Sequence, residues 1–205
     1  AAYHNSTEAA QCLLVHKADL HIKNKNGNTP LQTAAKHNSP ESLKILCREL
    51  HDLKSTDDEK MTALHYAAQY TDELFVSALI STGSDIDVRD RDNRTPLHYA
   101  SLYNTPAVCE TLLESSADIN VQTVDGKTPL MLASSRQPDD KSGMKKNTTE
   151  NVFETVNLLL DYGSDINIRD NQGNTALDHA KTNNSLQVIN LLDLYSDQSE
   201  PHKGI

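Results

Sequence analysis

Five copies of one hexapeptide, spread over most of the chain, constrain the fold more than any other feature. The copy at residues 95–100 reads Thr-Pro-Leu-His-Tyr-Ala. It returns at Thr29 (Thr-Pro-Leu-Gln-Thr-Ala), Thr62 (Thr-Ala-Leu-His-Tyr-Ala), Thr128 (Thr-Pro-Leu-Met-Leu-Ala) and Thr175 (Thr-Ala-Leu-Asp-His-Ala). The first three intervals are 33 residues each and the last is 47. A fixed period with one signature reads as a stack of like units, each burying its apolar face only against its neighbours. Thr can cap a helix and Pro suits the first helical position, so each copy opens a helix.

A second apolar stripe follows each copy at helical spacing. The central ones are Leu43, Ile45, Leu46 and Cys47; Phe75, Val76, Leu79 and Ile80; Val108, Cys109, Leu112 and Leu113. Val156, Leu158, Leu159 and Leu160, then Val188, Ile189, Leu191 and Leu192, complete the later units. Ahead of the first copy, Ala9, Ala10, Cys12, Leu13 and Leu14 form the same stripe, so residues 6–15 read as a second helix. Ala1 and Ala2 fall in the slot of Ala34 and Ala35. The chain thus reads as starting inside a helix, as a fragment of something longer would.

With period and signature together, the chain resembles the ankyrin-repeat family. The resemblance implies an all-α solenoid of about six repeats, helix-turn-helix units joined by β-hairpin-like fingers. Residues 1–195 then divide into a truncated repeat (1–28) and three regular repeats (29–61, 62–94 and 95–127). A repeat with a 14-residue insertion near 138–151 (128–174) and a capping repeat (175–195) follow. The polar insertion should be a mobile surface loop, and 196–205 a disordered tail. Lys181, Gln187, Asn190 and Asp193 read as the water-facing side of the cap. The family's Gly after the first helix is replaced by Asn38, Thr71, Asn104, Gln137 and Asn184; Asn tolerates the left-handed backbone expected there. The finger at 51–60 lacks the family's Gly-Ala-Asp and should be irregular.

The resemblance also implies that His65 and His98, at the fourth signature position, bridge finger backbones. Gln32, Met131 and Asp178 stand there in the other units, which implies looser joints. No Ser/His/Asp set, phosphate-cradling Gly loop or paired His/Cys ligand spacing occurs, so the chain reads as neither an enzyme nor a cofactor or metal protein. Asp57-Asp58-Glu59 lacks the alternating oxygens of a calcium loop and reads as an acidic fingertip. The Asn-x-Thr/Ser triplets at Asn5, Asn93, Asn147 and Asn183 read as fortuitous, Thr95 being a buried cap. A net charge of −10 argues against a nucleic-acid partner and for a basic or mixed-charge one. No run is apolar enough to insert in a membrane. Cys12, Cys47 and Cys109 have no metal spacing and read as core thiols, which fits a cytoplasmic or nuclear setting.

Recognition should then reside in positions that the repeat does not need. The family's groove, between fingertips and first helices, implies a protein or peptide partner. Tyr70 and Tyr103 share one slot a repeat apart. With Gln69, Leu102, Met61, Arg91, Arg94 and Arg136, beside Asp58 and Glu59, they form the candidate site, rich in residue types that dominate interface energy. The insertion, with Lys141, Lys145 and Lys146, is a second candidate for specificity. Asn120 and Asn167, each in a Leu-x5-Asp-Ile-Asn setting, match the family's targets of an asparaginyl hydroxylase. The alternative to a free-standing binding module is a regulatory or cytosolic arm of a larger enzyme or ion channel, docking within its own chain.

Overall fold

A computed structural model describes residues 2–4, 6–49, 53–137 and 148–199. Among them are eleven α-helices, one short 3₁₀ turn at Ala2–His4 and no strand. The helices are α1 (Thr7–Val15), α2 (Pro30–Lys36), α3 (Pro40–Glu49), α4 (Ala63–Tyr70), α5 (Glu73–Ser81) and α6 (Pro96–Tyr103). After these come α7 (Pro106–Glu114), α8 (Pro129–Ser134), α9 (Thr149–Asp161), α10 (Ala176–Thr182) and α11 (Leu186–Ser199). Each signature Thr is extended and N-caps its helix, and Pro30, Pro96 and Pro129 take the first helical position.

The helices form two ranks. α2, α4, α6, α8 and α10 each pack on the next of their own rank, and so do α1, α3, α5, α7, α9 and α11. Ala34, Ala67, Ala100, Ala133 and Ala180 are fully buried, so the inner helices approach closely. Leu43, Leu79, Leu112, Leu159 and Leu192 of the outer rank are no more than 2% exposed and fill the space between ranks. Four of the glycine-slot residues divide between two backbone conformations. Asn38 and Asn184 are left-handed, as expected, at φ 46° and 53°. Asn104 is instead extended at φ −118°, as is Thr71 at φ −106°. Asn104 has a different role, because its amide donates to Ala68 O and Thr71 O at 2.7 and 2.9 Å, closing the end of α4.

Five fingertips share one turn. The N–H of Asn24, Asp57, Asp90, Thr123 and Asp170 each donates to the carbonyl four residues on, and the carbonyl of each accepts from the N–H three residues on. That third residue is left-handed throughout: Gly27, Lys60, Asn93, Gly126 and Gly173. Gly126 has a second constraint, since a Cβ there would lie 2.9 Å from Asn171 N. The tip of the 51–60 finger is therefore regular, contrary to expectation. Asp57 Oδ1 accepts from the N–H of Glu59 and Met61, which holds Lys60 in the place of Gly. Residues 51 and 52 lie outside the described residues.

Other expectations fail at the chain's edges. Cys12 is exposed, and of the first stripe Ala10 alone is buried. The polar stretch near 138–151 is shorter than expected as a loop, because Thr148 caps α9 and Thr149, Glu150 and Asn151 are helical. Residues 138–147 lie outside the described residues. The supposed tail is helical as far as Ser199, since α11 runs on past Tyr195, whose hydroxyl donates to Asp161 Oδ1 at 2.5 Å.

Candidate functional site

The groove is built on joints that leave specific side chains over. At the joint after unit three, the Thr62 N–H donates to His65 Nδ1 at 3.1 Å, so the proton sits on Nε2. Nε2 then donates to Arg94 O at 3.1 Å, one repeat onward. His98 repeats this with Thr95 N at 3.0 Å and Lys127 O at 3.1 Å. Both rings are fully buried. Burial holds both imidazoles below their ordinary pKa, His98 at about 4, so each is a neutral bridge rather than an acid or base. Gln32 corrects the expectation of a loose joint. Its carbonyl accepts from Thr29 N at 2.7 Å, and its amide donates to Met61 O and Ser55 O at 2.7 and 3.1 Å. Met131, buried and without a donor, makes no such bridge. Asp178 caps its own helix through Thr175.

A second fastening was missed in the sequence. Tyr66 donates to Asp57 Oδ2 at 2.5 Å and Tyr99 to Asp90 Oδ2 at 2.6 Å, while His179 Nε2 lies 2.8 Å from Asp170 Oδ2. In all three the partners are nine residues apart, a carboxylate at the fingertip and a ring donor at the fifth signature position. That recurrent pairing was the available signal. Burial, and then the bond to Asp57, push the Tyr66 phenol up to about 12.

These rings support the candidate residues. Tyr70 stacks on Tyr66 with centroids 6.5 Å apart, and Tyr103 on Tyr99 at 6.3 Å. Each pair is one helical turn apart, the outer ring exposed (36% and 44%) and the inner one held by its carboxylate. Burial, and then neighbouring Tyr103, raise the Tyr70 phenol above its ordinary value. Gln69 and Leu102 are half-buried beside them. At the fingertips Asp58 and Glu59 are exposed. Arg91 reaches Glu59 Oε1 at 3.3 Å and Asp58 O at 2.5 Å, and Arg94 lies over the Tyr99 ring at 5.9 Å. Lys36 lies over the Tyr66 ring at 5.3 Å, a further cation beside these rings.

Two candidates do not face the groove. Met61 is 8% exposed, and its sulfur lies 3.7 Å from the Tyr99 hydroxyl, whose proton goes to Asp90. Arg136 is 3% exposed and donates to Ser101 O and Asn104 O at 3.3 and 3.1 Å. It closes α6 as Asn104 closes α4, and Asn183 does the same for α8 by donating to Ser135 O at 2.8 Å. A charged side chain can be buried here because helix-end carbonyls need donors. Of the asparagines, Asn120 is half-buried and accepts from Asp165 N at 3.0 Å, whereas Asn167 is exposed. Lys141, Lys145 and Lys146 lie outside the described residues.

Among the described residues no helix is long and apolar enough to cross a membrane. No group of three or more His, Cys, Asp or Glu side chains there could hold a metal ion. A comparison with curated proteins found no match. Family models for ankyrin repeats, one of three copies and one of many, match residues 1–90, 41–123 and 68–142, and residues 148–192. With the 33-residue joints and the two helical ranks already described, these matches show that the chain belongs to the ankyrin-repeat family.

Proposed function

We propose that the chain is a recognition module that holds a protein or peptide segment in the groove between its fingertips and inner helices. Ankyrin repeats generally mediate protein–protein interaction and are typically non-catalytic. The observation that carries the finer reading is the pair of exposed rings, Tyr70 and Tyr103, each stacked on a buried tyrosine tied to a buried carboxylate. A rigid aromatic side chain gives up little freedom on binding, so its contact area converts efficiently into affinity. Gln69 and Leu102 precede the two rings in sequence, Arg91, Arg94, Asp58 and Glu59 stand in the fingers, and mixed charge at such a rim selects among partners more than it tightens binding. The setting we assign is cytoplasmic or nuclear, with no nucleic acid, cofactor or metal in the role.

The test is capture of partners on the immobilised chain, followed by calorimetry with the purified partner. Tyr70→Ala and Tyr103→Ala should each cost about 1–3 kcal/mol of affinity with helicity unchanged. Unchanged affinity in both variants would place the site elsewhere. Docking within one polypeptide, as an arm of a larger enzyme or channel, would use the same groove. The full-length reading frame separates the two cases.

A further inference from the structure

The negative charge of the chain is spread unevenly between the two ranks of helices. The inner helices α2, α4, α6 and α8 contain no Asp or Glu. The outer helices α3, α5, α7 and α9 contain two, one, two and three. The net charge of −10 is therefore a sum that misdescribes the inner face. Cations stand there instead. Lys36, at the end of α2, is half-buried with its ammonium 5.3 Å from the centre of the Tyr66 ring. Arg94 and Lys127 directly precede the Thr caps of α6 and α8 and are half-buried as well. Several fingertip acids are committed elsewhere: Asp57 and Asp90 accept from Tyr66 and Tyr99, and Glu59 pairs with Arg91. Among the described residues Lys36 and Lys127 have no ion pair, and Arg94 reaches only the exposed Asp92, at 4.0 Å. The Arg94 Nε is buried and has no hydrogen-bond partner among them.

We infer that the segment held in the groove is acidic: an extended peptide whose Asp or Glu side chains meet Lys36 and Arg94 while its apolar residues lie on Tyr70 and Tyr103. This rests on the groove reading given above and names the chemistry of the partner. A cation seated on a ring face keeps its charge and is already positioned. A carboxylate brought to it forms its pair at a half-shielded site, where the pair is worth more than on an open surface. Tyr66 and Tyr99 lie on neighbouring packed helices, about 10 Å apart. Lys36 and Arg94 lie 5.3 and 5.9 Å from those ring centres. An extended chain advances about 3.3 Å per residue, so acidic residues roughly three to six positions apart reach both cations. A nucleic-acid strand fits less well, because its evenly charged backbone would also meet exposed Asp58, Asp92 and Asp125 at the fingertips. A peptide can place neutral residues there.

The test selects random displayed peptides on the immobilised full chain and measures the enriched ones by fluorescence anisotropy. Enriched sequences should carry at least two Asp or Glu residues at the spacing just given. Lys36→Gln and Arg94→Gln should each weaken their binding about threefold to fivefold, and the double variant at least about tenfold. Lys36→Arg keeps the charge and should bind within about twofold of the parent. An unchanged far-ultraviolet spectrum in each variant separates lost binding from lost folding. Enriched peptides that need Tyr70 and Tyr103 but are neutral or basic, or that ignore both Gln variants, would overturn this inference and leave the groove standing. Peptides indifferent to Tyr70→Ala and Tyr103→Ala as well, or no enrichment over bare matrix, would remove the groove reading with it. Displacement of an acidic peptide by an equal concentration of single-stranded oligonucleotide would assign the cations to a phosphate backbone and overturn the inference.

Discussion

The joint between units three and four and the joint between units five and six use the same backbone and close it with different chemistry. At the first, a neutral imidazole spans from Thr62 N to Arg94 O, and a tyrosine ties Asp90 to α6. At the second, Met131 fills the imidazole slot and offers no hydrogen bond, and Asp170 is held by His179. What persists is a layer of fingertip bonds. Arg91 N, Val124 N and Asn171 N each donate to a carbonyl of the preceding fingertip, at 2.9, 2.9 and 3.0 Å. At the second joint Asn171 and Asn183 add side-chain bonds to Val124 O and Ser135 O. The first joint carries side-chain bonds of the same kind, from Arg91 to Asp58 O and from Asn104 to Ala68 O and Thr71 O, so the fingertip and helix-end staples are common to both joints and the signature bridge is what differs. The groove inherits its rigidity from the first kind of joint, beneath Tyr70 and Tyr103.

The largest effect should come from a helix-end staple. Arg136→Ala removes a buried side chain and its bonds to two carbonyls at the end of α6, and should cost roughly 2–4 kcal/mol in urea unfolding. A cost below about 1 kcal/mol would mean that the staple contributes little to this stack.

Acid should distinguish the two joints next. The folded His98 value of about 4 lies below its ordinary 6.5, and His65 shifts the same way, both through burial. Between those values the unfolded chain binds protons that the folded joint does not. The contribution of these rings to stability is thus complete above about pH 6.5 and is lost as pH falls towards about 4. Asp170 acts in a lower window. Burial alone would raise it, but the Asn174 N–H, His179 and the Gln172 N–H outweigh burial and hold it below 3.8. Its contribution is present above 3.8 and is lost as pH falls through the lowered value. A His65→Gln, His98→Gln double variant should flatten unfolding free energy between pH 6.5 and 4 and leave the steeper fall below it.

Fingertip contacts give a smaller contrast. Gly126 and Gly173 are both left-handed, at φ 79° and 84°, but only at Gly126 would a Cβ meet the next fingertip's backbone. Gly173→Ala should cost about 1 kcal/mol from its backbone angle alone, and Gly126→Ala about twice that. Equal costs would show that the fingertip layer yields easily.

Much of this was legible in the sequence because spacing carries it. The Thr caps and the paired helices follow from that register, and the two histidine bridges were implied by the resemblance to ankyrin repeats. What failed had a non-local cause. Gln32 reads as a lost histidine, yet its amide has both a donor and an acceptor and reproduces the bridge. Lys60 reads as a missing glycine, but Asp57 fixes the turn around it. Met61 and Arg136 occupy groove positions by count, and neighbouring units cover them. The support that Tyr66 and Tyr99 give the groove was missed because their partner carboxylates lie at the fingertip, nine residues back. Cys12 sits at an apolar position of its helix but lies on the open end of the stack.

The central claim is that a neutral side chain with one acceptor and one donor closes the joint, whatever its ring chemistry. Urea unfolding of His98→Gln and His98→Met at pH 7.5 tests it most directly. The account predicts that Gln stays within about 1 kcal/mol of the parent, as Gln32 does this work in unit two, while Met, which cannot bridge Thr95 N and Lys127 O, loses about 2–3 kcal/mol. Equal losses in the two variants would contradict it.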